Sequence, residues 1–450
     1  MVRQLAPVRR FWPGRLSLSP PQTIIVGFIT IILVGAALLS LPAASESGAP
    51  TPFLTALFTA TSATCVTGLT VVDTADHYST FGELVILVLI QLGGFGYMTS
   101  WALLALVLGW RIGLRERIIL TEAQNLYDLG GVVRFTRRLI LMALIVEASG
   151  AAILTLRWMG EEPFGRALYL GVFHSISAFN NAGFDLMGSF RSLTAYAGDP
   201  VVSLIIAGLI ILGGLGFAVL FDLRSRRLTL HSRTVLLATG MLIGIGTALI
   251  ALFEFANPKT LGALPVPARL LAAFFQAVTP RTGGFSTLDV GSLAEPTLML
   301  IAALMFIGAS PGGTGGGIKT TTFMAPLAVI LATVRGTGEP VMFGRRIMAQ
   351  NINKALTIAF GSLAFVFAMS VMLAAVERVE FLPALFEITS GFGTVGLSTG
   401  LTPHLSPWGR IIVMLTVFSG RVGLLTVAFG LTRRHRPPRV RHPEDRLYIG

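Results

Sequence analysis

The sequence predicts an all-α integral membrane fold. Four parallel units, each a long apolar span, a half-helix, a glycine loop and a second span, are expected around one central axis. Three observations carry this expectation. Only 12% of the 450 residues are charged and 53% are hydrophobic, against roughly 25% charged in soluble domains. Uncharged runs at 23–41, 84–108 and 201–221 are long enough to cross a bilayer. A short run of small or polar residues ending in glycine occurs four times. The copies are Thr64-Cys65-Val66-Thr67-Gly68-Leu69, Asn180-Asn181-Ala182-Gly183-Phe184, Arg281-Thr282-Gly283-Gly284-Phe285 and Gly393-Thr394-Val395-Gly396-Leu397.

The net charge of +12 could indicate nucleic acid, but its placement points to a membrane. Assigned to alternate sides of the apolar segments, 25 Lys and Arg fall on one side, within 3–15, 111–138, 224–233, 319–354 and 433–446. Eight fall on the other, and Arg421 lies inside a span. Such alternation is the positive-inside pattern. It predicts cytoplasmic termini, an even number of spans and no nucleic-acid partner. The single cysteine, Cys65, excludes an intrachain disulfide. The run 23–41 is read as a retained first span, because it is long and no small-residue cleavage site follows it.

The first unit (1–110) holds a span at 23–41, a half-helix at 53–63, the Gly68 loop and a span at 84–108. The second (111–223) holds 139–159, 167–179, the Gly183 loop and 201–221. The third (224–340) holds 234–255, 268–278, the Gly284 loop and an interrupted stretch, 297–334. The fourth (341–450) holds 355–376, 382–389, the Gly396 loop, 409–431 and a basic tail. Eight spans result. The short segments cannot cross, so they are read as re-entrant half-helices, tolerated at membrane depth where they are buried in protein or line a wet cavity. Pro52, Pro163, Pro267 and Pro383 stand near their starts, where proline is well placed. A half-helix entering from outside points its partly negative C-terminal end inward, which favours a cation. The second spans share small-residue runs, among them Leu92-Gly93-Gly94-Phe95-Gly96 and Leu212-Gly213-Gly214-Leu215-Gly216, which suit close helix packing.

Four such loops around one pore can replace the water of a dehydrated cation with backbone carbonyls. The expected filter is Val66, Thr67 and Gly68, Asn181, Ala182 and Gly183, Thr282, Gly283 and Gly284, and Thr394, Val395 and Gly396. Glycine is needed because only a residue without a side chain lets four backbones crowd round an ion. The walls are unequal, so preference for potassium over sodium is expected to be less strict than in a symmetric filter. Arg281 is expected to point away and brace its loop against Asp289, with Glu387 as a further brace.

The run 310–322 divides the third unit's second span. Its Pro311 and its glycines, Gly312, Gly313, Gly315, Gly316 and Gly317, cannot stay helical. It is not a phosphate loop, since Ile318 stands where lysine belongs, Lys319 comes one place late and no strand precedes it. It is read as an intramembrane gate below the filter. Arg421, a charge inside the last span, joins it, because such charges are costly and usually functional. Lys319 and Arg421 together are expected to form a positive barrier.

Two other classes compete. A secondary cation symporter predicts inverted repeats and buried acids, whereas these repeats are parallel and Glu83 and Glu147 form no acidic pair. An enzyme requires clustered ligands or catalytic groups, and the six histidines (His77, His174, His231, His404, His435 and His442) are scattered. No catalytic residue is assigned.

The four units resemble the Trk/Ktr/HKT superfamily of potassium transporters. The resemblance rests on the Cys65–Leu69 run, the Ser177-Ala178-Phe179-Asn180-Asn181-Ala182-Gly183-Phe184 run, the glycine-rich interruption and Ser419-Gly420-Arg421-Val422-Gly423. The length and the ending Leu447-Tyr448-Ile449-Gly450 make it most similar to membrane subunits of the bacterial Ktr branch. The resemblance implies potassium as cargo, uptake that is often sodium-stimulated, and a homodimer with one pore per subunit in the bacterial inner membrane. It also implies a cytoplasmic octameric ring of nucleotide-binding subunits, so that nucleotide is expected on the partner alone. In that family the intramembrane loop and the final-span arginine form the gate, and glycine at the position of Gly68 marks potassium-selective members. The basic loops would dock the ring or bind anionic lipid.

Overall fold

The computed structural model describes residues 19–96, 132–226 and 228–431. The basic segments 3–15 and 433–446, the ending 447–450, Arg227, most of the basic loop 111–138 and the end of the expected span 84–108 lie outside them. The described residues are almost entirely helical, with one small hairpin pairing Val341–Met342 with Arg345–Arg346.

The helices fall into four groups. The first is α1 (Pro20–Leu39), α2 (Phe53–Thr64) and α3 (Thr80–Phe95). The second is α4 (Val132–Trp158), α5 (Phe164–Phe179), α6 (Pro200–Leu215) and α7 (Phe217–Ser225). The third is α8 (Leu230–Glu254), α9 (Val266–Val278), α10 (Glu295–Phe306) and α11 (Thr320–Val334). The fourth is α12 (Ala349–Glu377), α13 (Phe381–Gly393), α14 (Pro407–Val422) and α15 (Leu424–Leu431).

The leading helix of each group is long and apolar enough to span a membrane. Their exposed faces carry large apolar residues such as Leu33, Leu144, Leu252 and Phe360, as lipid contact requires. Each leading helix packs on the short helix that follows it. The short helices have 12 to 16 residues, about 18–24 Å of rise, less than the ~30 Å hydrocarbon core. Pro52 and Pro163 are the N-caps of α2 and α5, while Pro267 and Pro383 lie in the first turns of α9 and α13.

The closing helices are not the straight spans the sequence suggested. Helices α3, α6 and α14 end on left-handed glycines, Gly96 (φ 75°), Gly216 (φ 90°) and Gly423 (φ 92°). The chain then bends by 97° into α7 and by 96° into α15. Between α10 and α11 it opens into the glycine-rich run. Among the described residues, four single helices and two bent pairs have the length and composition of a span, against the expected eight.

The groups close on themselves. Helix α3 contacts α5, α6 contacts α9, α10 contacts α13, and α14 contacts α2. Each closing helix therefore touches the short helix of the next group, and the fourth returns to the first. Glycines permit the contacts at the centre. A side-chain carbon added at Gly93 would run into the carbonyl of Thr64, at Gly213 into that of Phe179, and at Gly420 into that of Phe392. The small-residue runs thus let α3, α6 and α14 sit against the ends of their own groups' short helices, while Gly308 in the third group abuts the Gly316 carbonyl. Gly213→Ala is expected to destabilise the protein by about 1–3 kcal/mol, the usual cost of overpacking. Thermal unfolding in detergent checks this, and an unchanged midpoint would show that α6 can move aside.

Candidate functional site

All twelve expected filter residues meet where the short helices end. The four loops share one backbone register. Val66, Asn181, Thr282 and Thr394 have φ of 51°, 58°, 70° and 51°. Two residues later, Gly68, Gly183, Gly284 and Gly396 have φ of 85°, 71°, 79° and 98°. The residues between, Thr67, Ala182, Gly283 and Val395, are not left-handed. Such alternation turns successive carbonyls the same way, where a strand turns them opposite ways. Left-handed geometry at β-branched Val66, Thr282 and Thr394 costs about 1–2 kcal/mol each and persists only where the surroundings enforce it.

Those surroundings are the other loops. A side-chain carbon built on Gly68 would lie 2.5 Å from the carbonyl oxygen of Ala182, and one on Gly183 would lie 3.2 Å from that of Gly283. The same construction sets Gly284 against the carbonyl of Val395 and Gly396 against that of Thr67. Each glycine faces the middle carbonyl of the next loop, in chain order, and the circle closes. All twelve residues are buried except Gly68 and Gly396, which are half-buried. The C-terminal ends of α2, α5, α9 and α13 all point at this ring, adding partial negative charge to the carbonyls.

The loops are held from behind. Thr67, Ala182 and Val395 each donate their backbone N–H at 2.8 Å to a carbonyl five residues earlier, on Ser62, Ser177 and Ser390. The third loop differs: Gly283 donates at 2.7 Å to Thr279, four residues earlier. Hydroxyls brace the exits, Ser177 donating to the Phe184 carbonyl at 2.7 Å and Thr279 to that of Phe285 at 2.5 Å. Loops two and three are stitched through Asn181 and Thr282. With the Asn181 amide oriented to satisfy both ends, its oxygen accepts from Thr282 Oγ1 at 2.7 Å and its nitrogen donates to the carbonyls of Ala178 and Ile210 at 3.1 Å. Glu387 braces as expected, accepting from Ser398 Oγ at 2.6 Å, Thr399 N at 2.9 Å and Thr402 Oγ1 at 2.6 Å.

The glycine-rich run packs directly against the ring. Gly316 N donates to Thr394 Oγ1 at 2.9 Å, and Gly315 abuts the Thr282 hydroxyl. Thr314 donates its N–H to the Gly213 carbonyl at 3.1 Å and its hydroxyl to the Phe179 carbonyl at 3.1 Å. Gly312 accepts from Phe217 N at 3.1 Å on the same flank, and on the other flank Gly317 N reaches the Gly420 carbonyl at 3.3 Å. Gly313 lies close to the carbonyls of Gly213 and Gly214. Arg421 donates to the Thr314 carbonyl in this run and to the carbonyls of Gly93 and Gly94 on α3. Lys319 donates to the Gly315 carbonyl at 2.7 Å. Both cations are thus tied to the run, one across to the first group and one within it.

One expectation fails. Arg281 does not meet Asp289. Asp289 is exposed and caps its own turn, accepting from Ser292 Oγ at 2.5 Å and Gly291 N at 3.2 Å. Arg281 is 5% exposed and points into a crevice lined by Ile210, Ile211, Thr239 and Ile243, where its Nε and Nη1 find no acceptor among the described residues. The short stretch from 281 to 289 puts the acid on the outer surface and the base beneath the loop. Sequence reasoning weighed Glu147 only as half of an absent acidic pair and did not consider Gln91, which lies with it beside the second loop. A lone acid within a span was the available signal, and its amide partners come from other helices.

A ring of backbone carbonyls at the ends of four short apolar helices, each packed on a helix long enough to span a membrane, fits a membrane cation-transport protein. The chain belongs to the TrkH family of cation transport proteins, whose family profile matches residues 19–435. It is 43% identical over 436 residues to the Ktr system potassium uptake protein B of Bacillus subtilis, covering 96% of this chain and 97% of that protein. It is 39% identical to the protein of the same name from Vibrio alginolyticus, covering 96% and 95%. With the potassium/sodium uptake protein NtpJ of Enterococcus hirae it shares 37% identity, covering 97% and 98%. Among solved structures, the potassium transporter TrkH from Vibrio parahaemolyticus has the same fold, with a TM-score of 0.70 over 93% of this chain and 87% of that one, at 17% identity. These relatives are transporters by name, and the chain is a multi-pass membrane transport protein rather than an enzyme.

Because Arg281 buries a guanidinium without an acid, Arg281→Met is expected to leave stability unchanged or raise it by about 1–4 kcal/mol. A lower unfolding temperature in detergent would show that the guanidinium holds the third loop.

Proposed function

We propose that the chain is the pore subunit of a potassium uptake system, passing dehydrated potassium down its gradient through the ring of Thr67, Ala182, Gly283 and Val395 carbonyls. The observation that carries this reading is the closed circle in which each left-handed glycine faces the next loop's carbonyl. Carbonyls so arranged stand in for a hydration shell, and two relatives are named for potassium uptake. Rubidium uptake into liposomes tests it: external potassium should block uptake and sodium should block it weakly.

The run 310–322 is the gate in this reading and Arg421 its latch. The latch is supported by the hydrogen bonds from Arg421 to Thr314 on one side and to Gly93 and Gly94 on the other. While they persist, the run is held under two of the four loops. Control comes from a cytoplasmic KtrA-like octameric ring that carries the nucleotide. The subunit works as a homodimer in the bacterial inner membrane with both termini cytoplasmic, and sodium stimulates uptake.

A second reading is a less selective sodium and potassium pore. It draws on the different hydrogen bonding of the third loop and on the relative named for both ions. Equal competition by sodium and potassium in the rubidium assay would favour it.

Two outcomes are expected of variants. Arg421→Ala, or deletion of 312–317, should raise rubidium flux about tenfold, the factor matching loss of a charge-assisted hydrogen bond of ~1.5 kcal/mol. Equal or lower flux from correctly folded protein would count against gating. Gly68→Ser should raise competition by sodium, because any side chain there presses on the Ala182 carbonyl at 2.5 Å and takes up a left-handed backbone at a cost. Unaltered competition would separate Gly68 from ion selection.

A further inference from the structure

Behind the second loop lies a carboxylate that the function so far does not use. Glu147, on α4, is 4% exposed within a span. Its Oε1 accepts from Asn180 Nδ2 at 2.9 Å, and both of its oxygens accept from Gln91 Nε2 at 3.1 Å. Asn180 Nδ2 also donates to Gln91 Oε1 at 2.9 Å, so a carboxylate and two amides form one closed triangle. Asn180 caps α5 and immediately precedes Asn181, the first left-handed residue of loop two. Its side chain presses on Gly94, whose carbonyl accepts from Arg421. Ser175 Oγ adds a bond to the Glu147 carbonyl at 2.6 Å.

Among the described residues no Lys, Arg or His forms an ion pair with Glu147. A buried carboxylate is expensive unless paired or fully hydrogen-bonded. Amides orient it but do not cancel its charge. Arg421 reaches the carbonyl of Gly94, against which Asn180 packs, but makes no ion pair with Glu147, so a cation held in the ring, one residue beyond Asn180, can compensate the charge. Two alternatives are weaker. A resident metal site is disfavoured because the amide nitrogens occupy the carboxylate's acceptor positions. A purely structural brace would use the carboxylate only as an acceptor for the two amides and would leave cation affinity independent of its charge.

We propose that Glu147 is a specificity-determining residue of the pathway. It fixes the start of the second loop through Asn180 and supplies an uncancelled negative charge behind the carbonyl ring that tightens cation binding. The proposal rests on the reading of the ring as a potassium filter. It adds a second source of negative potential, behind the second of the four unequal loops.

The test is concentration-dependent rubidium uptake by reconstituted protein, with the wild type, Glu147→Gln, and the double variant Gln91→Glu/Glu147→Gln. The double variant keeps one carboxylate and two amides in the triangle but moves the charge from α4 to α3. Saturable wild-type uptake blocked by potassium establishes the filter independently, and its absence would sink that reading first. Given it, Glu147→Gln should raise the half-saturating rubidium concentration on the order of tenfold, with the maximal rate kept within about twofold. The double variant should recover most of the affinity. An unchanged half-saturating concentration in Glu147→Gln overturns the proposal. So does a loss of uptake in Glu147→Gln that the double variant fails to restore, since that outcome assigns Glu147 a structural role alone.

Discussion

The structure depends on four backbones meeting around one axis. Carbonyl contact between loops leaves no room for a β-carbon at Gly68, Gly183, Gly284 or Gly396. The turn that brings each carbonyl inward requires left-handed residues two places apart. The half-helices deliver four chain ends to the centre, and Gly93, Gly213 and Gly420 let the closing helices approach them. The circle of contacts from each closing helix to the next short helix fixes the register. A ring made of backbone tolerates varied side chains, so Cys65 or Asn180 can stand before the same backbone turn.

Charge around this ring is distributed with a pattern. Partial negative charge comes from the helix ends, and the carboxylate of Glu147 lies behind the second loop, bonded to Asn180. Positive charge lies beneath, on Arg421 and Lys319, where each is occupied by carbonyls of the glycine-rich run. In low dielectric these groups act over distances that water would suppress. The run and its two cations thus lie directly against the ring. Arg281 stands apart, beside the third loop in an apolar crevice.

Much of the architecture was legible because membrane constraints leave few options. Long apolar runs and glycine at the same place after each short helix were enough to read the order of the helices and the four loops that follow the short ones. The half-helix starts came within a few residues, since proline marks them. What could not be read was geometry arising between distant segments. The breaks at Gly96, Gly216 and Gly423 look like ordinary small residues in an apolar run, and only their left-handed angles distinguish them. Asp289 was the nearest acid to Arg281 in sequence, yet seven intervening residues separate a buried side chain from a surface one. Glu147 was visible as a lone acid, but its partners sit 56 residues earlier and 33 later, and no local pattern connects them.

The central claim is that a dehydrated cation sits within the four middle carbonyls. The most direct measurement is anomalous X-ray diffraction from crystals grown in rubidium instead of potassium. The account predicts anomalous density on the axis, enclosed by the carbonyl oxygens of Thr67, Ala182, Gly283 and Val395. Density confined to another part of the protein, with none inside the ring, would contradict it.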